Sequence, residues 1–464
     1  MAKKVVLVNP GKNKPWASIL PPMNLGYIAS YLEKHGVEVY IVDELADQDV
    51  RKAFEHLQPE IVGITATTAL APDAYRVAKI ARKLGFTTVM GGVHASFLTQ
   101  EVLKHVDIVV KGEGEQAMLN IVRGSRSRII KAPYIKNLDE IPPPSWHLMD
   151  MEFYLSASER FKGVHIDYVP AKSKLGSIMT IRGCPYSCIF CCNSWRDIPV
   201  RFHSPKRVVD DIEFLIERYR IQALYFAEDD FFMNKRRLKN ICRLMQENNI
   251  NLIWGCQARS NSIDLESLKM AKEAGCCQVQ FGFESGSQRI LDILKNKTTK
   301  VEKNAQAAKL CKQVGIRSFA TFMLGNPTET VEDLKATIDF IKNNDIDRVG
   351  VLITTPFPGT KLWQWCQEHD LVPEKIDYSK LITHNVSIPA NDTMPPKVIN
   401  KFAREIRSYL HPVTFGEALR EICSRPFLFY KAIKHPIETF TVLIGIGKPL
   451  KNKLLIGIGG RKKR

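Results

Sequence analysis

The first 183 residues contain no cysteine, although the whole chain of 464 residues contains eleven. The eleven form no regularly spaced framework, which excludes a disulfide scaffold and favours the reducing cytoplasm. The chain also lacks any run of roughly 18 apolar residues, so we predict no membrane-spanning helix. Its first residues become polar too soon for a secretory signal. These absences predict a cytoplasmic protein that is held together by buried apolar cores.

Acidic residues are scarce relative to basic ones, and the imbalance is concentrated near the end of the chain. The formal net charge is +17, and residues 401–464 hold fourteen Lys and Arg against four Glu, a local balance of +10. This segment also contains apolar and aromatic runs, a combination typical of peripheral anchors on anionic membranes. A basic surface can instead bind nucleic acid, the less favoured partner, or it can be a solvated helical cap without a partner.

Residues 1–125 alternate short apolar runs with amphipathic segments, which is typical of a parallel sheet covered by helices on both faces. No GxGxxG follows the first apolar run, so a dinucleotide site is only weakly supported. Small and polar residues nevertheless follow each run, and ligands of such sheets bind outside the carboxyl ends of the strands. We predict strands at 5–9, 37–42, 61–65, 87–90 and 108–110, and helices at 25–32 and 72–84.

A proline-rich segment at 142–144 marks a boundary between this sheet and a second series of strands and helices. Six further apolar runs, each ending in polar residues, fit a partial (β/α)6 TIM-type barrel, whose active face lies at the strand carboxyl ends. We predict barrel strands at 177–182, 223–227, 252–257, 278–283, 317–324 and 348–354. The predicted α/β organisation is a doubly wound, Rossmann-like domain at 1–135, a linker at 136–175, the barrel at 176–375, and a basic, mainly helical extension at 376–464.

Three cysteines, Cys184, Cys188 and Cys191, stand in a CxxxCxxC run at the end of the first predicted barrel strand. Thiolates this close can bind one iron–sulfur cluster, and a cubane cluster normally takes four cysteine ligands. With three protein ligands, one iron keeps an open coordination site, which points to chemistry. The alternative is a zinc site completed by Cys192 or by a distant histidine, but zinc motifs favour paired CxxC units and no second pair follows.

The CxxxCxxC run, with Phe190 before its last cysteine, resembles the signature of radical S-adenosylmethionine (SAM) enzymes. The resemblance implies a 4Fe–4S cluster on the three cysteines, with SAM bound at the open iron and cleaved by one electron to a 5′-deoxyadenosyl radical. It also implies a reductant such as flavodoxin or ferredoxin. The implied SAM contacts are Phe190 in the loop, Glu228 or Asp229 for the amino group, Arg259 for the carboxylate, Glu284 for the ribose, and the turn at Gly325 for the adenine.

Segments of the first domain resemble the cobalamin-binding half of cobalamin-dependent radical SAM enzymes, a group that includes the anaerobic magnesium-protoporphyrin ester cyclase and hopanoid-modifying enzymes. They begin at Pro21-Pro22, at Gly91-Gly92 and at Gly112-Glu113. Many cobalamin domains carry DxHxxG, whose histidine ligates cobalt, and this chain has none. Either cobalamin binds without a protein histidine, or the domain is degenerate. The implied cobalamin contacts are Asn9, Pro10, Thr65, Thr67, Gly91, Gly92, His94, Gly112, Glu113 and Gly114.

The favoured function is methylation of an unactivated carbon on an apolar substrate, for example a lipid or isoprenoid. A radical cyclase or rearrangement enzyme without methyl transfer is the alternative within the family. A non-catalytic iron–sulfur sensor with a basic nucleic-acid surface is an alternative from another class. A methylthiotransferase is disfavoured, because the second cluster of that family needs cysteines before Cys184. The sequence singles out no catalytic side chain, and peripheral contact with the inner membrane face is a further hypothesis.

Overall fold

The computed structural model describes residues 4–12, 20–157, 168–170, 172–192, 199–383 and 386–409. Two six-stranded parallel sheets organise these residues, and they confirm the predicted α/β class. The strands are β1 Lys4–Asn9, β2 Glu38–Asp43, β3 Ile61–Thr65, β4 Thr87–Gly91, β5 Ile108–Val110, β6 Ile129–Ile130, β7 Leu175–Ile178, β8 Ile181–Arg182, β9 Arg201–Phe202, β10 Ala223–Phe226, β11 Ile253–Ala258, β12 Cys276–Glu284, β13 Arg317–Leu324 and β14 Arg348–Ile353.

Helices cover both sheets. They are α1 Met23–Lys34, α2 Val50–Leu57, α3 Ala71–Lys83, α4 Val93–Phe97, α5 Thr99–Val102, α6 Glu115–Val122, α7 Met151–Leu155, α8 Pro205–Tyr219, α9 Lys235–Glu247, α10 Leu265–Glu273, α11 Gln288–Lys295, α12 Val301–Val314, α13 Val331–Asn343, α14 Lys361–Glu368 and α15 Pro396–Tyr409.

The first sheet has the strand order β2-β1-β3-β4-β5-β6, and its strands are parallel. The interior strand β1 is buried on both faces. Val5 and Leu7 belong to one apolar cluster, whereas Val6 and Val8 belong to another on the opposite face. This is the burial expected of a doubly wound sheet, because both faces are covered by helices.

The second sheet has the order β7-β10-β11-β12-β13-β14, so β7 and β14 form its two edges. All its strand pairs are parallel, and the strands are followed by helices in the way that a partial TIM-type barrel requires. The carboxyl ends of its strands therefore lie on one face. That face carries the cysteine loop at 183–191.

The first barrel strand is shorter than predicted. β7 ends at Ile178, and the rest of the predicted strand forms the separate ribbon β8, which pairs antiparallel with β9. Thr180 explains the break, because its backbone N–H donates to Glu228 Oε2 at 3.0 Å and its hydroxyl donates to Glu228 Oε1 at 2.6 Å. Arg237 Nη2 donates to the same hydroxyl oxygen at 2.6 Å. These side-chain bonds replace ladder bonds at this point.

One continuous apolar cluster joins the two sheets. Leu7 and Tyr27 of the first half and Ile178 and Phe226 of the second half all belong to it. Tyr27 also donates its phenol hydrogen to the carbonyl of Met179 at 3.0 Å. The carboxyl ends of the two sheets are consequently held in a fixed relation to each other.

The elements that were not predicted include the helices α2, α4, α5, α6 and α7 and the strands β6 and β9. The start of α2 carried a recognisable signal, because Asp49 accepts hydrogen bonds from the N–H groups of Arg51 and Lys52 at 2.9 and 3.1 Å, as an N-cap does. Strand β12 begins at Cys276, two residues before the predicted start of this strand at 278, and Cys276 is buried. The residue pattern in these places was too short to reveal periodicity.

The C-terminal extension is described as far as Tyr409. Helix α15 buries Ile399, Ala403 and Ile406, whose spacing gives one apolar stripe, and it packs on β14. The basic and apolar tail at 410–464, which carried the membrane prediction, lies outside the described residues. Among the residues that the structure describes, no helix has both the length and the apolar character needed to cross a membrane.

Candidate active site

A cavity of about 430 Å³ lies between the carboxyl ends of the two sheets. One wall comes from the loops after β3, β4 and β5, and the other from β8, the cysteine loop and the end of β10. The cavity thus brings the predicted cobalamin and cluster residues to one place. The predicted site residues on its wall are Thr65, Thr67, Gly91, Gly92, Gly112, Glu113, Gly114, Cys184, Cys191, Glu228 and Asp229.

Glycines shape the first wall through close packing. Gly92 has φ +92°, and a Cβ there would lie 2.9 Å from the carbonyl oxygen of Ala66. A Cβ at Gly114 would lie 2.5 Å from the Cδ1 atom of Ile28. A side chain is excluded at Gly92 by the backbone of Ala66, whereas at Gly114 it would require the Ile28 side chain to shift.

Three of the predicted cobalamin contacts do not line the cavity. The amide of Asn9 donates to Asp43 Oδ1 at 3.0 Å, and the neighbouring Pro10 is buried. His94 is 1% exposed, and its Nε2 lies 2.7 Å from the hydroxyl of Tyr75. Burial lowers the pKa of His94 to about 4. This histidine is a packed residue behind the wall, so the expectation that it faces the ligand is corrected.

The cysteine loop is anchored to two barrel helices. The N–H of Ile189 donates to the carbonyl of Leu294 at 3.0 Å, and the N–H of Leu362 donates to the carbonyl of Ile189 at 2.9 Å. Phe190 packs with Ile189 against an apolar cluster that contains Leu362 and Cys366. Phe190 is absent from the cavity wall, and its packing explains how the loop is held. Its contact with SAM stays a prediction.

The three thiols lie close to the cavity, and two of them, Cys184 and Cys191, form part of its wall. Burial raises the pKa of Cys191 to about 12, so metal binding has to drive its deprotonation. Within the described ranges, no three or more His, Cys, Asp or Glu are arranged to hold a single metal ion.

Three carboxylates follow β10. Glu228 is occupied by the two bonds from Thr180, and burial raises its pKa to about 7. Asp230 accepts a hydrogen bond from the hydroxyl of Ser262, and burial raises its pKa to about 6. Asp229 makes no hydrogen bond with the described residues, and its charge acts on Cys184 and Cys191. Of the two predicted acceptors for an amino group, Asp229 is the one with free oxygens.

Glu284 and Gly325 lie at neighbouring strand ends of the barrel, although neither is on the cavity wall. Glu284 has φ +64° and lies 3.4 Å from Lys295 Nζ. The N–H groups of Gly325 and Asn326 both donate to Glu329, at 2.7 and 3.1 Å. These two N–H groups are therefore already occupied, and the predicted role of the turn toward adenine stays a prediction.

Arg259, the predicted carboxylate partner, also lies off the cavity wall but touches the cysteine loop. Its Nη1 lies 3.4 Å from the Cys188 sulfur, and its guanidinium carbon lies 3.7 Å from the centroid of the Tyr186 ring. Arg259 is thus the strand-end residue that is in direct contact with the three-cysteine run.

A buried ion-pair network crosses the cavity from one wall to the other. Arg201 forms a two-point contact with Glu113, including Nη1 to Oε2 at 3.1 Å, and it donates to the carbonyl of Ile135 at 2.6 Å. Arg182 lies 3.4 Å from Glu113 and 2.6 Å from Glu115. Sequence reasoning missed both arginines. Arg182, two residues before the first cysteine, was recognisable by position, but nothing local marks Arg201.

Comparisons with known proteins agree with this architecture. Residues 178–341 match the Radical SAM superfamily, and residues 16–122 match the B12 binding domain. An uncharacterized methyltransferase of Pyrococcus horikoshii is 35% identical over 385 residues, which cover 76% of this chain and 80% of that protein. The anaerobic magnesium-protoporphyrin IX monomethyl ester cyclase of Rubrivivax gelatinosus is 30% identical over 401 residues, which cover 78% of this chain and 69% of that protein.

Two solved structures share the fold. The cobalamin-dependent S-adenosylmethionine radical enzyme OxsB superposes with a TM-score of 0.72 at 17% identity, covering 99% of this chain and 74% of that one. The radical S-adenosylmethionine methyltransferase TsrM of Kitasatospora setae superposes with a TM-score of 0.63 at 21% identity, covering 80% of this chain and 78% of that one.

The barrel, with its three-cysteine loop, defines a radical SAM enzyme. The chain belongs to the cobalamin-dependent radical SAM family, as its motifs predicted. The cofactors of this family are a 4Fe–4S cluster, SAM and cobalamin, and the enzymes take a small-molecule substrate and a reductant. The residues present fit these groups, because three cysteines stand on one loop beside the cavity and a glycine-lined wall faces them.

Proposed function

We propose that this enzyme methylates an unactivated carbon of an apolar substrate. In this proposal Cys184, Cys188 and Cys191 bind the cluster, Asp229 receives the amino group of SAM and Arg259 receives its carboxylate. The observation that carries the proposal is the single cavity bounded by the cysteine loop on one side and by the ends of the first sheet on the other. A substrate held in this cavity lies between the two cofactor sites.

The protein side chains bind, orient and exclude water. When bound, the reduced cluster supplies the electron that cleaves SAM, and cobalamin supplies a methyl carrier. Asp229 keeps free oxygens beside the cysteine loop, which suits it to accept from an ammonium group. Glu284, held in place by Lys295 at 3.4 Å, is the acceptor that we assign to the ribose hydroxyls.

The proposed substrate is apolar because the two arginines on the cavity wall, Arg182 and Arg201, already have partners. Arg182 and Arg201 are paired with Glu113 and Glu115, so little cationic charge is left for an anionic substrate. Apolar side chains supply much of the remaining wall, and pockets of this kind select by shape. They include Ile28, Val93, Met118, Met179, Ile181 and Met233.

Anaerobic reconstitution tests the cofactor assignment. We expect about four irons and about four sulfides per chain on the cysteine loop, and one equivalent of cobalt on the first domain. Tetrahedral zinc in place of iron and sulfide, in protein prepared without air, would overturn the assignment.

Product analysis tests the reaction. Incubation of the reduced holoenzyme with SAM and candidate apolar substrates should give 5′-deoxyadenosine together with S-adenosylhomocysteine. Methylation consumes one SAM to generate the radical and another as the source of the methyl group. The second candidate function is a radical cyclisation or rearrangement, favoured by the 30% identity to a named cyclase. That reaction would give deoxyadenosine without S-adenosylhomocysteine. A sensor would give neither product.

The partner proposals are a flavodoxin or ferredoxin as reductant and an anionic membrane surface for residues 410–464. The basic composition of that segment supports the second, since each Lys or Arg near an anionic surface contributes about 1 kcal/mol. Full-length protein should co-sediment with vesicles that contain anionic lipid, and salt should weaken the binding. Equal, negligible sedimentation with anionic and neutral vesicles would contradict the membrane proposal.

A further inference from the structure

Arg259 is held against the cysteine loop by contacts that exist without any ligand. Its Nη2 donates to the hydroxyls of Thr298 and Thr299, each at 2.9 Å. Its guanidinium stacks on the ring of Tyr186, a residue of the loop itself, with 3.7 Å between the guanidinium carbon and the ring centroid. These contacts fix the plane of the guanidinium before SAM binds, because an arginine that stacks on a ring and donates two hydrogen bonds has lost most of its rotational freedom.

The other terminal nitrogen of the guanidinium, Nη1, points at the sulfur atom of Cys188. Nη1 lies 3.4 Å from Cys188 Sγ, within hydrogen-bond distance of a sulfur acceptor. Cys188 is the middle cysteine of the run, and unlike Cys184 and Cys191 it is absent from the cavity wall. The contact is therefore made to the one cysteine of the run that does not line the cavity.

We propose that Arg259 tunes the cluster, raising its reduction potential through the N–H···S hydrogen bond and the positive charge that it brings to Cys188. This inference rests on the proposed assignment of the cluster to Cys184, Cys188 and Cys191. Hydrogen bonds to cluster sulfurs and local net charge are among the factors that set the potentials of iron–sulfur clusters.

The direction of the effect follows from the charge change. One-electron reduction adds a negative charge to the cluster, and a nearby cation stabilises the reduced state more than the oxidised state. Asp229 acts on Cys184 and Cys191 in the opposite sense. Its carboxylate carries a negative charge, as does the electron added by reduction, so Asp229 disfavours the reduced state. The two residues bring opposite charges to the loop, and Arg259 is the one that favours electron uptake.

Redox titration followed by electron paramagnetic resonance tests the inference in SAM-free protein. Arg259→Gln should make the one-electron reduction at least about tenfold less favourable, which is about 59 mV more negative. Arg259→Lys keeps the charge but loses the planar fork, so its shift should be smaller. Arg243→Gln is the matched control, since Arg243 is an exposed arginine of α9 that pairs with Glu247.

The outcomes separate the inference from the proposed function. A full cluster whose potential is unchanged in Arg259→Gln would overturn the inference alone. A wild-type chain that takes up no iron and sulfide would overturn both. If neither Arg259 variant assembles a cluster, wild-type protein labelled with 15N-arginine decides. A nitrogen coupling to the reduced cluster supports the N–H···S bond, and its absence contradicts it.

A SAM-binding measurement on the same variants distinguishes tuning from a role limited to the carboxylate. If Arg259 acts only on SAM, Arg259→Gln weakens SAM binding and leaves the SAM-free potential as in wild type. If it tunes the cluster, the potential shifts before SAM is added.

Discussion

The two walls of the cavity are built from different materials. The wall from the first sheet is rich in glycine, and a Cβ at Gly92 would lie 2.9 Å from the carbonyl oxygen of Ala66. The barrel wall carries the functional side chains Cys184, Cys191 and Asp229. The first wall therefore selects by shape and the second by charge and coordination. The same cavity can host a large flat ligand and a reactive small one because these tasks are divided between the two sheets.

The sharpest way to break this comparison is to remove one thiol. Cys191→Ser should abolish both iron–sulfide uptake and deoxyadenosine formation, because the cluster loses one of three protein ligands. Cobalamin binding should persist, since it belongs to the other wall. Iron analysis and the absorption spectrum of bound cobalamin report the two effects separately. Cys192→Ser is the matched control and should keep its cluster. A loss of the cluster in the control alone would assign the ligand to Cys192.

The ion-pair network tests whether the walls depend on each other. Arg201→Met leaves Glu113 with Arg182 alone, so we expect a loss of about 3 kcal/mol in the free energy of unfolding, the low end for a broken buried pair. Adding Glu113→Gln should restore part of this loss, because position 113 then no longer carries a buried charge with only one partner. Urea unfolding of the wild type, Arg201→Met, Glu113→Gln and the double variant measures this coupling. Additive losses would show that the pair contributes nothing of its own.

The shape of the first wall is tested at Gly92. Gly92→Ala should destabilise the protein by about 1–3 kcal/mol and weaken cobalamin binding, because the residue has φ +92° and the new Cβ would meet the Ala66 carbonyl. Gly85→Ala is the matched control, since Gly85 has φ +85° but no atom within 4 Å of a Cβ. Calorimetry and cobalamin titration should show the smaller effect in the control. Equal effects would remove the steric argument.

The charge character of the second wall predicts a pH dependence. Burial raises the pKa of Glu228 from 4.5 to about 7, so the folded state binds a proton more tightly than the unfolded state. Its stabilising contribution is complete below pH 4.5 and is lost as the pH rises through 7, at roughly 1 kcal/mol per pH unit in between. Glu228→Gln should flatten this slope in denaturation curves at several pH values. An unchanged slope would show that other groups cause it.

Local sequence patterns were sufficient to predict the bounds of those strands whose tertiary contacts agree with their own apolar pattern. Ile61–Thr65, Ile108–Val110 and Arg317–Leu324 match the predicted strands at both ends, because apolar runs bounded by polar residues are a local signal. The end of β7 was mispredicted, since Thr180 bonds to a carboxylate 48 residues away. No window around Thr180 contains that partner.

The candidate site likewise contains residues that a local pattern predicts and residues that only long-range contacts bring together. The CxxxCxxC spacing is local, so the cluster loop could be predicted before the fold was known. Arg201 and Glu113 are 88 residues apart, and their pairing exists only after the two sheets have met. His94 shows the opposite error, a local signal that misleads. A histidine beside Gly91-Gly92 resembles a ligand in sequence, but this one is buried and its Nε2 is hydrogen-bonded to Tyr75.

The shared apolar core of the two sheets has a consequence for cofactor loading. Leu7, Tyr27 and Phe226 are buried in one cluster, so swinging the sheets apart would expose core side chains to water. A hinge motion of that size is costly, which leaves two routes for a bulky corrinoid: passage through local loop movement, or incorporation while the second half of the chain is still folding. We therefore expect more corrinoid to be bound when it is present during refolding than when it is added to the folded chain.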